Sequence, residues 1–415
     1  MTRRRRVTFA MLIALVALAN VGRAASLDWP AWRGPHGDGR SDEEKLPTRW
    51  SATENVHWKV PIPGKGHASP IVCGDRVFLT TALEADQKRI LLCLNRLDGN
   101  VRWEREVLRA PLEQRHERNS YASATPATDG IHVWVSFLQK PTIQLVCYDV
   151  DGNEVWRKSP GTFESAHGFC SSPVLFDDLV ILNCDQDAKA WIVAYDKATG
   201  KERWRTDRPN RIRSYCTPLA IDVEGSKQLV MSGSKSVVSY APQTGKPIWN
   251  IDGPTEQLVA SLVYEQGVVF VTGGYPDLHM LGIDPRGRGN VTDTHVLWRT
   301  HKGVSYVPSP VAHDGHFFVV SDNGIASCLE ARTGELKWKQ RLGRRHSASA
   351  VVGGGHVYFL DDDGETFVVA ASPEFKLVAE NPLHEACFAS PAASRGQLFI
   401  RTDKHLYCIG KETTR

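Results

Sequence analysis

The sequence predicts an all-β fold: an eight-bladed β-propeller of four-stranded antiparallel blades, its ring closed by pairing the N-terminal strand with the last blade. Three observations predict it. The pattern Gly-x-x-x-Trp recurs at Gly99/Trp103, Gly152/Trp156, Gly200/Trp204, Gly245/Trp249 and Gly334/Trp338. Small-residue elements open eight units anchored at Pro70, Pro126, Pro173, Pro218, Leu262, Pro310, Ala350 and Pro391, spaced 56, 47, 45, 44, 48, 40 and 41 residues apart. The last unit ends without a Trp strand, and the stretch VHWKVPI at 56–62 is a Trp strand with no partners before it. A period of this length with short strands means a propeller. A β-helix repeats over far fewer residues, and an α-solenoid needs helical periodicity.

In chain order, residues 1–24 read as a secretory signal peptide. Arg3 to Arg6 form a basic start, 7–21 an apolar run, and Gly22-Arg23-Ala24 a small-residue cleavage site. Residues 25–53 read as an irregular lead-in, packed on the surface by Trp29 and Trp32. Residues 54–415 read as the propeller, with 54–62 expected to pair with 405–409. The stretch 190–204, AWIVAYDKATGKERW, shows the unit: a strand buried on both faces, a Thr199-Gly200 turn, and a strand carrying Trp204. Each Trp is expected to bury against the next blade. Seven units keep it, and Val378 stands in its place in the seventh complete blade. Blade five carries the longer turn DPRGRGNVTDTHVLW, a candidate surface contact.

Composition narrows the function classes. The chain has 415 residues, too many for one ordinary core and suited to one divided among repeats. Its formal charge is +3, but residues 1–24 hold five Arg and no acid. The remainder carries 45 Lys+Arg against 47 Asp+Glu, so a nucleic-acid partner is not expected. Of nine Cys, Cys93, Cys147, Cys328 and Cys408 occupy one strand position in four separate repeats. They read as buried apolar fillers, not a disulfide framework. Cys170, Cys216 and Cys387 recur near the opening elements. No spacing suits a zinc site.

YDKATGKERW, LEARTGELKW and YAPQTGKPIW resemble the tryptophan-docking repeats of the pyrroloquinoline-quinone (PQQ)-like β-propeller superfamily, over residues 28–411. The lead-in WPAWRGPHGDG is similar to that of exported PQQ-like repeat proteins. The resemblance implies one of two classes. PQQ-dependent dehydrogenases hold quinone and calcium at the propeller centre. The β-propeller lipoprotein of the outer-membrane β-barrel assembly machinery is not an enzyme. The dehydrogenases carry adjacent cysteines beside the quinone, and this sequence has no Cys-Cys pair. The lipoprotein is anchored through a Cys just after its signal, whereas the first Cys here is Cys73, so no lipid anchor is expected.

Residues just before each opening strand are expected to crowd one channel mouth. They include Lys65, His67, Asn119, Tyr121, His167, Arg213, Tyr215, Tyr306, Arg345, His346 and Glu385. Rich in His, Arg and Tyr, this ring reads as a pocket for an anion or carbonyl with aromatic walls, or as a solvated mouth. Residues 361–365 (DDDGE) and 185–187 read as turns, because the remaining ligand positions of a calcium loop are missing. His116 and Glu117 read as a solvated loop, and no nucleophile–base spacing recurs. The expected function is an exported, monomeric binding or scaffold propeller of the cell envelope, periplasmic or secreted. It needs no catalytic residue, metal or cofactor and takes a protein or polymer partner. The alternative is a quinoprotein-like oxidoreductase with PQQ and calcium in the central channel.

Overall fold

The computed structural model describes residues 27–412. The export signal read at 1–24 lies outside the described residues. Eight antiparallel sheets surround a channel, seven of four strands and one extended by a fifth. Blade three shows the rule. Val174–Phe176 lines the channel, Leu179–Cys184 and Ala190–Asp196 follow, and Glu202–Arg208 forms the outer edge. The two middle strands are buried on both faces, which is why they read as unbroken apolar runs. The outer strand alternates, with Trp204 turned inward between exposed neighbours.

Ring closure follows the expected pairing. Val56–Pro61 runs antiparallel to His405–Ile409, with Trp58 opposite Cys408 and Pro61 opposite His405. The recurring cysteines take their place in the same register. Cys93 faces Trp103, Cys147 faces Trp156, Cys328 faces Trp338 and Cys408 faces Trp58. All four are buried, and all nine Cys are free thiols. In blade seven the partner at this register is Ala379, opposite Val368, so Ala379 and not Val378 replaces the Trp.

Each Trp clasps the turn of the next blade. The indole N–H donates to a carbonyl one or two residues after that blade's third strand. Trp58 reaches Arg96 at 2.7 Å, Trp103 reaches Val150 at 3.1 Å, and Trp156 reaches Lys197 at 2.9 Å. Trp204 bonds Pro242, Trp298 bonds Ala331 and Trp338 bonds Ser372. The turn itself is fixed locally. Asp196 Oδ1 accepts from both the N–H and the hydroxyl of Thr199, and Gly200 takes φ +66°.

Trp249 is the exception, because it faces the enlarged turn of blade five. Its N–H donates to Gln228 Oε1 at 2.8 Å, and Gln228 Nε2 passes the link on to the Pro285 carbonyl at 3.1 Å. The insertion then adds Gly289–Asn290 as a parallel fifth strand on the edge of blade four. The expected surface contact is therefore made within the ring.

The lead-in departs most from expectation. It is not a surface loop but a plug across the channel. Trp29 pairs with Val72 of blade one, and the Pro30 carbonyl accepts from Thr128 of blade two. Trp32 Nε1 reaches Ser261 of blade five, and the buried Arg33 guanidinium donates to the Asp38 and Pro310 carbonyls. Arg40 bridges to Val352, and Trp50 stacks on Tyr358, both in blade seven. Trp29, Arg33 and Trp50 are nearly inaccessible. Apolar and hydrogen-bonding surface at the ends of the inner strands would otherwise face an open channel, and the plug buries it.

Candidate functional pocket

A belt of hydroxyls surrounds the channel. The residue before each blade's anchor is Ser or Thr: Ser69, Thr125, Ser172, Thr217, Ser261, Ser309, Ser349 and Ser390. Its backbone N–H donates to the hydroxyl of the next blade. This occurs from Ser69 to Thr125, Thr125 to Ser172, Thr217 to Ser261, Ser261 to Ser309, Ser309 to Ser349, and Ser349 to Ser390, at 2.8–3.2 Å. The hydroxyls satisfy N–H groups that no strand pairs.

Above this belt opens a pocket of about 460 Å³. Its wall includes His67, His116, Glu117, Arg118, Asn119, His167, Cys170, Tyr215, Tyr306 and Phe388, and Trp32 reaches it from the plug. Trp32 and Thr217 also line a groove of about 780 Å³ on the opposite face. The plug is thus a partition, and the pocket is blind.

Of the residues expected at the mouth, His67, Asn119, His167, Tyr215 and Tyr306 come together in this pocket. Asn119 ties the loop from blade one to blade two, donating to the His167 carbonyl at 2.8 Å. That loop places His116 against His167, ring centroids 5.2 Å apart, so His116 and Glu117 form part of the rim and are not merely a solvated loop. Arg213 stands behind the wall. It chelates Asp187 through Nη1 at 2.8 and 2.9 Å, and its Nε donates to His167 Nδ1 at 3.3 Å. His167 Nε2 is left to carry the ring proton. Lys65 and Arg345 line a neighbouring cavity of about 510 Å³, which shares His67, Arg118 and Phe388 with the first.

Three expected residues are not at the mouth. Tyr121 is half-buried beneath the guanidinium groups of Arg89 and Arg115, at 5.5 and 4.6 Å. His346 is 1% exposed, and its ring nitrogens meet the carbonyls of Leu360 and Leu342 at 3.0 and 2.8 Å. It braces blade seven and offers nothing to a ligand. Glu385 accepts from Lys59 at 2.8 Å, Thr402 at 2.6 Å, His405 at 2.9 Å and Tyr407 at 3.1 Å. Its lone pairs are committed to tying the closing strand to blade eight. Residues 361–365 form a turn as expected, whereas Asp185 and Asp187 are engaged in ion pairs instead. Asp361 caps the hairpin by accepting from Asp363 and Glu365, Asp185 pairs with the buried Arg208, and Asp187 pairs with Arg213.

Burial favours the uncharged form of five groups in the pocket wall, namely His67, His167, Cys170, Tyr215 and Tyr306. Burial, with the Arg401 charge added, lowers the His67 pKa to about 4. Burial and the Arg213 charge also lower His167. Burial raises Tyr215 and Tyr306, and pushes the Cys170 thiol up to about 12. These five present donors, acceptors and aromatic faces, while the acidic Glu117 and basic Arg118 stand exposed at the rim. Cys170 is a protonated thiol and not a nucleophile at neutral pH.

Sequence reasoning missed Trp32, Arg118, Phe388 and the hydroxyl belt. The belt had a signal, since Ser or Thr precedes the anchor in all eight units. Trp32 had none, because its partners are set by a plug whose contacts span the ring.

The family model described as outer membrane protein assembly factor BamB matches residues 41–125, 114–278 and 288–374. The assembly factor of Yersinia pestis is 19% identical over 321 residues, 77% of this chain and 69% of its own length. That of Escherichia coli strain K12 is 25% identical over 108 residues, 26% of this chain and 27% of its own length. Among solved structures, BamB from Moraxella catarrhalis superposes with a TM-score of 0.60 at 13% identity, covering 86% of this chain and 97% of that one. The quinohemoprotein alcohol dehydrogenase of Comamonas testosteroni gives 0.63 at 12% identity, covering 95% and 82%. The two likenesses share the fold. The chain belongs to the family of the outer membrane protein assembly factor BamB.

Proposed function

We propose that this chain is an exported, non-enzymatic binding propeller of the cell envelope, which holds a segment of a protein partner in the blind pocket at its channel mouth. The observation that carries the reading is the pocket itself: closed beneath by the plug, walled by several blades, and lined largely by aromatic, hydroxyl and imidazole side chains. Such a site offers hydrogen bonds and aromatic surface, and burial keeps its one thiol, Cys170, protonated near neutral pH. Membership of a family named for outer-membrane protein assembly supports an envelope location and a protein partner. The export signal read in residues 1–24 supports the same location.

The rival reading is a quinoprotein-like oxidoreductase, supported by the fold shared with a quinohemoprotein alcohol dehydrogenase. Among the described residues, no three His, Cys, Asp or Glu side chains come together as a metal site. This weighs against a carboxylate-rich calcium site in the channel. We propose that the protein works without a cofactor. Titrating the purified protein with PQQ, with and without calcium, tests this. No saturable absorbance change is expected, and saturable binding with dye reduction would establish the oxidoreductase. In parallel, affinity capture from an envelope extract should recover a partner with the wild type and lose it with Tyr306→Ala.

A further inference from the structure

Arg401 occupies a register position that elsewhere needs no charge. In the second strand of blades one, two and three the equivalent residues are Thr80, Ser136 and Asn183. Each donates one bond to the next blade, to the carbonyls of Ala124, Ser171 and Cys216 at 3.2, 2.6 and 3.0 Å. Arg401 makes the same bond, to the Ala68 carbonyl at 3.3 Å, and a second to Thr80 at 2.7 Å, both through Nη1. A hydroxyl or an amide does this work in the neighbouring blades, so the guanidinium charge is surplus to the fold.

That charge is also uncompensated. Arg401 is 2% exposed, and among the described residues no carboxylate lies within ion-pair distance of it. Three other deeply buried arginines are ion-paired, Arg89 with Glu113, Arg96 with Glu412 and Arg208 with Asp185, while Arg33 is held within the plug by the Asp38 and Pro310 carbonyls. Burying a cation without a partner is strongly unfavourable. The backbone makes room for it, since a Cβ added at Gly66 would stand 2.7 Å from Arg401 Nη2.

The guanidinium faces a cavity of about 510 Å³. Lys65, Arg118 and Arg345 stand exposed on its rim, with Glu117 and Asp403 as exposed acids. Arg115 is drawn to Glu84 at 3.8 Å, and Asp362 accepts from Ser347 at 3.2 Å. The deepest group is thus a cation, with Glu117 and Asp403 at the edge, Glu84 beside Arg115, and Asp362 engaged through one oxygen while its Oδ1 is buried without a partner.

We propose that this cavity between blades eight and one is an oxyanion site, in which a carboxylate or phosphate group pairs with Arg401 and is gathered by Lys65 and Arg345. A forked guanidinium matches either group. The site adjoins the blind pocket but does not depend on the scaffold reading.

The probes are sodium phosphate and sodium acetate, each against sodium chloride at matched ionic strength, with thermal midpoint and calorimetric titration as readouts. The wild type should show a saturable rise in midpoint with at least one of the two. Comparing them assigns the natural group to the phosphate or carboxylate class. Arg401→Asn imitates Asn183 and keeps the structural bond. It should fold and bind the anion at least tenfold more weakly. Arg345→Ala, on the exposed rim, should weaken binding severalfold without affecting folding, and it serves as the test if Arg401→Asn is unstable. Equal saturable binding by the wild type and both variants, or no saturable rise in the wild type with either anion, overturns the proposal.

Discussion

Trp156 of blade two lies against Gly200 of blade three so closely that a Cβ on the glycine would stand 2.7 Å from the indole Cδ2. The same indole donates to the Lys197 carbonyl at 2.9 Å. One residue thus caps a turn by shape and by hydrogen bond, and the turn must be glycine both for space and for its φ of +66°. Trp156→Ala should cost about 3–5 kcal/mol, the usual range for a large buried aromatic. Gly200→Ala should cost more than about 1 kcal/mol, since strain at positive φ adds to the clash. Chemical denaturation measures both. A double mutant losing less than the sum of the singles would show that they act on one contact.

Gln228 stands in for a direct clasp in blade four. Its Oε1 accepts from Trp249 and Ser239 at 2.8 and 2.7 Å, and its Nε2 donates to Pro285. Gln228→Met preserves the volume but leaves buried polar groups unpaired. It should destabilise the protein by about 2 kcal/mol or more. An unchanged denaturation midpoint would mean that the insertion's parallel strand alone holds blades four and five together.

Glu385 makes ring closure sensitive to acid. Burial pushes its pKa up, but hydrogen bonds from Lys59, Thr402, His405 and Tyr407 prevail and hold it at about 2, below the ordinary 4.5. A carboxylate depressed in the folded state contributes stability above its unfolded pKa and loses it as pH falls through the folded one. The contribution, about 2–3 kcal/mol, should therefore be complete above pH ~4.5 and gone near pH ~2. Glu385→Gln should be less stable than the wild type at pH 7 and approach it at pH 2. Stability curves that run parallel over this range would remove Glu385 from the clamp.

Thiol chemistry tests the cysteine reading. All nine are free, and only Cys73 and Cys170 are other than buried. Burial raises both of these to about 12. The native protein should label with iodoacetamide at no more than these two positions, and far more slowly than a model thiol at pH 8. Denatured without reductant, it should titrate all nine. A shortfall would reveal a disulfide.

Much of the fold was legible because repeats state one set of instructions many times. The anchors, the Trp strands and the truncated last unit together implied the closure between 56–61 and 405–409. Legibility ended where the repeat ended. Residues 28–50 have no period, and Trp32 and Arg33 find partners at Ser261 and Pro310, more than 200 positions away, so nothing local marked them as a plug. The site was legible only in part for a related reason. Counting residues before each inner strand located the mouth, but the count could not say which side chains turn inward. His346 turned into its own blade, and Glu385 turned toward the closing strand. Arg401 was hidden in an apolar strand, and its surplus charge emerges only when the register sets it beside Thr80, Ser136 and Asn183.

The central claim is that a protein partner enters the blind pocket and not the plugged face. A photocrosslinking residue placed at Tyr306 in the pocket, and separately at Tyr264 in the opposite groove, tests it in intact cells. The account predicts a discrete crosslinked envelope protein from position 306, lost when His167→Ala is added, and none from position 264. Crosslinks from 264 alone, or from neither position, would contradict it.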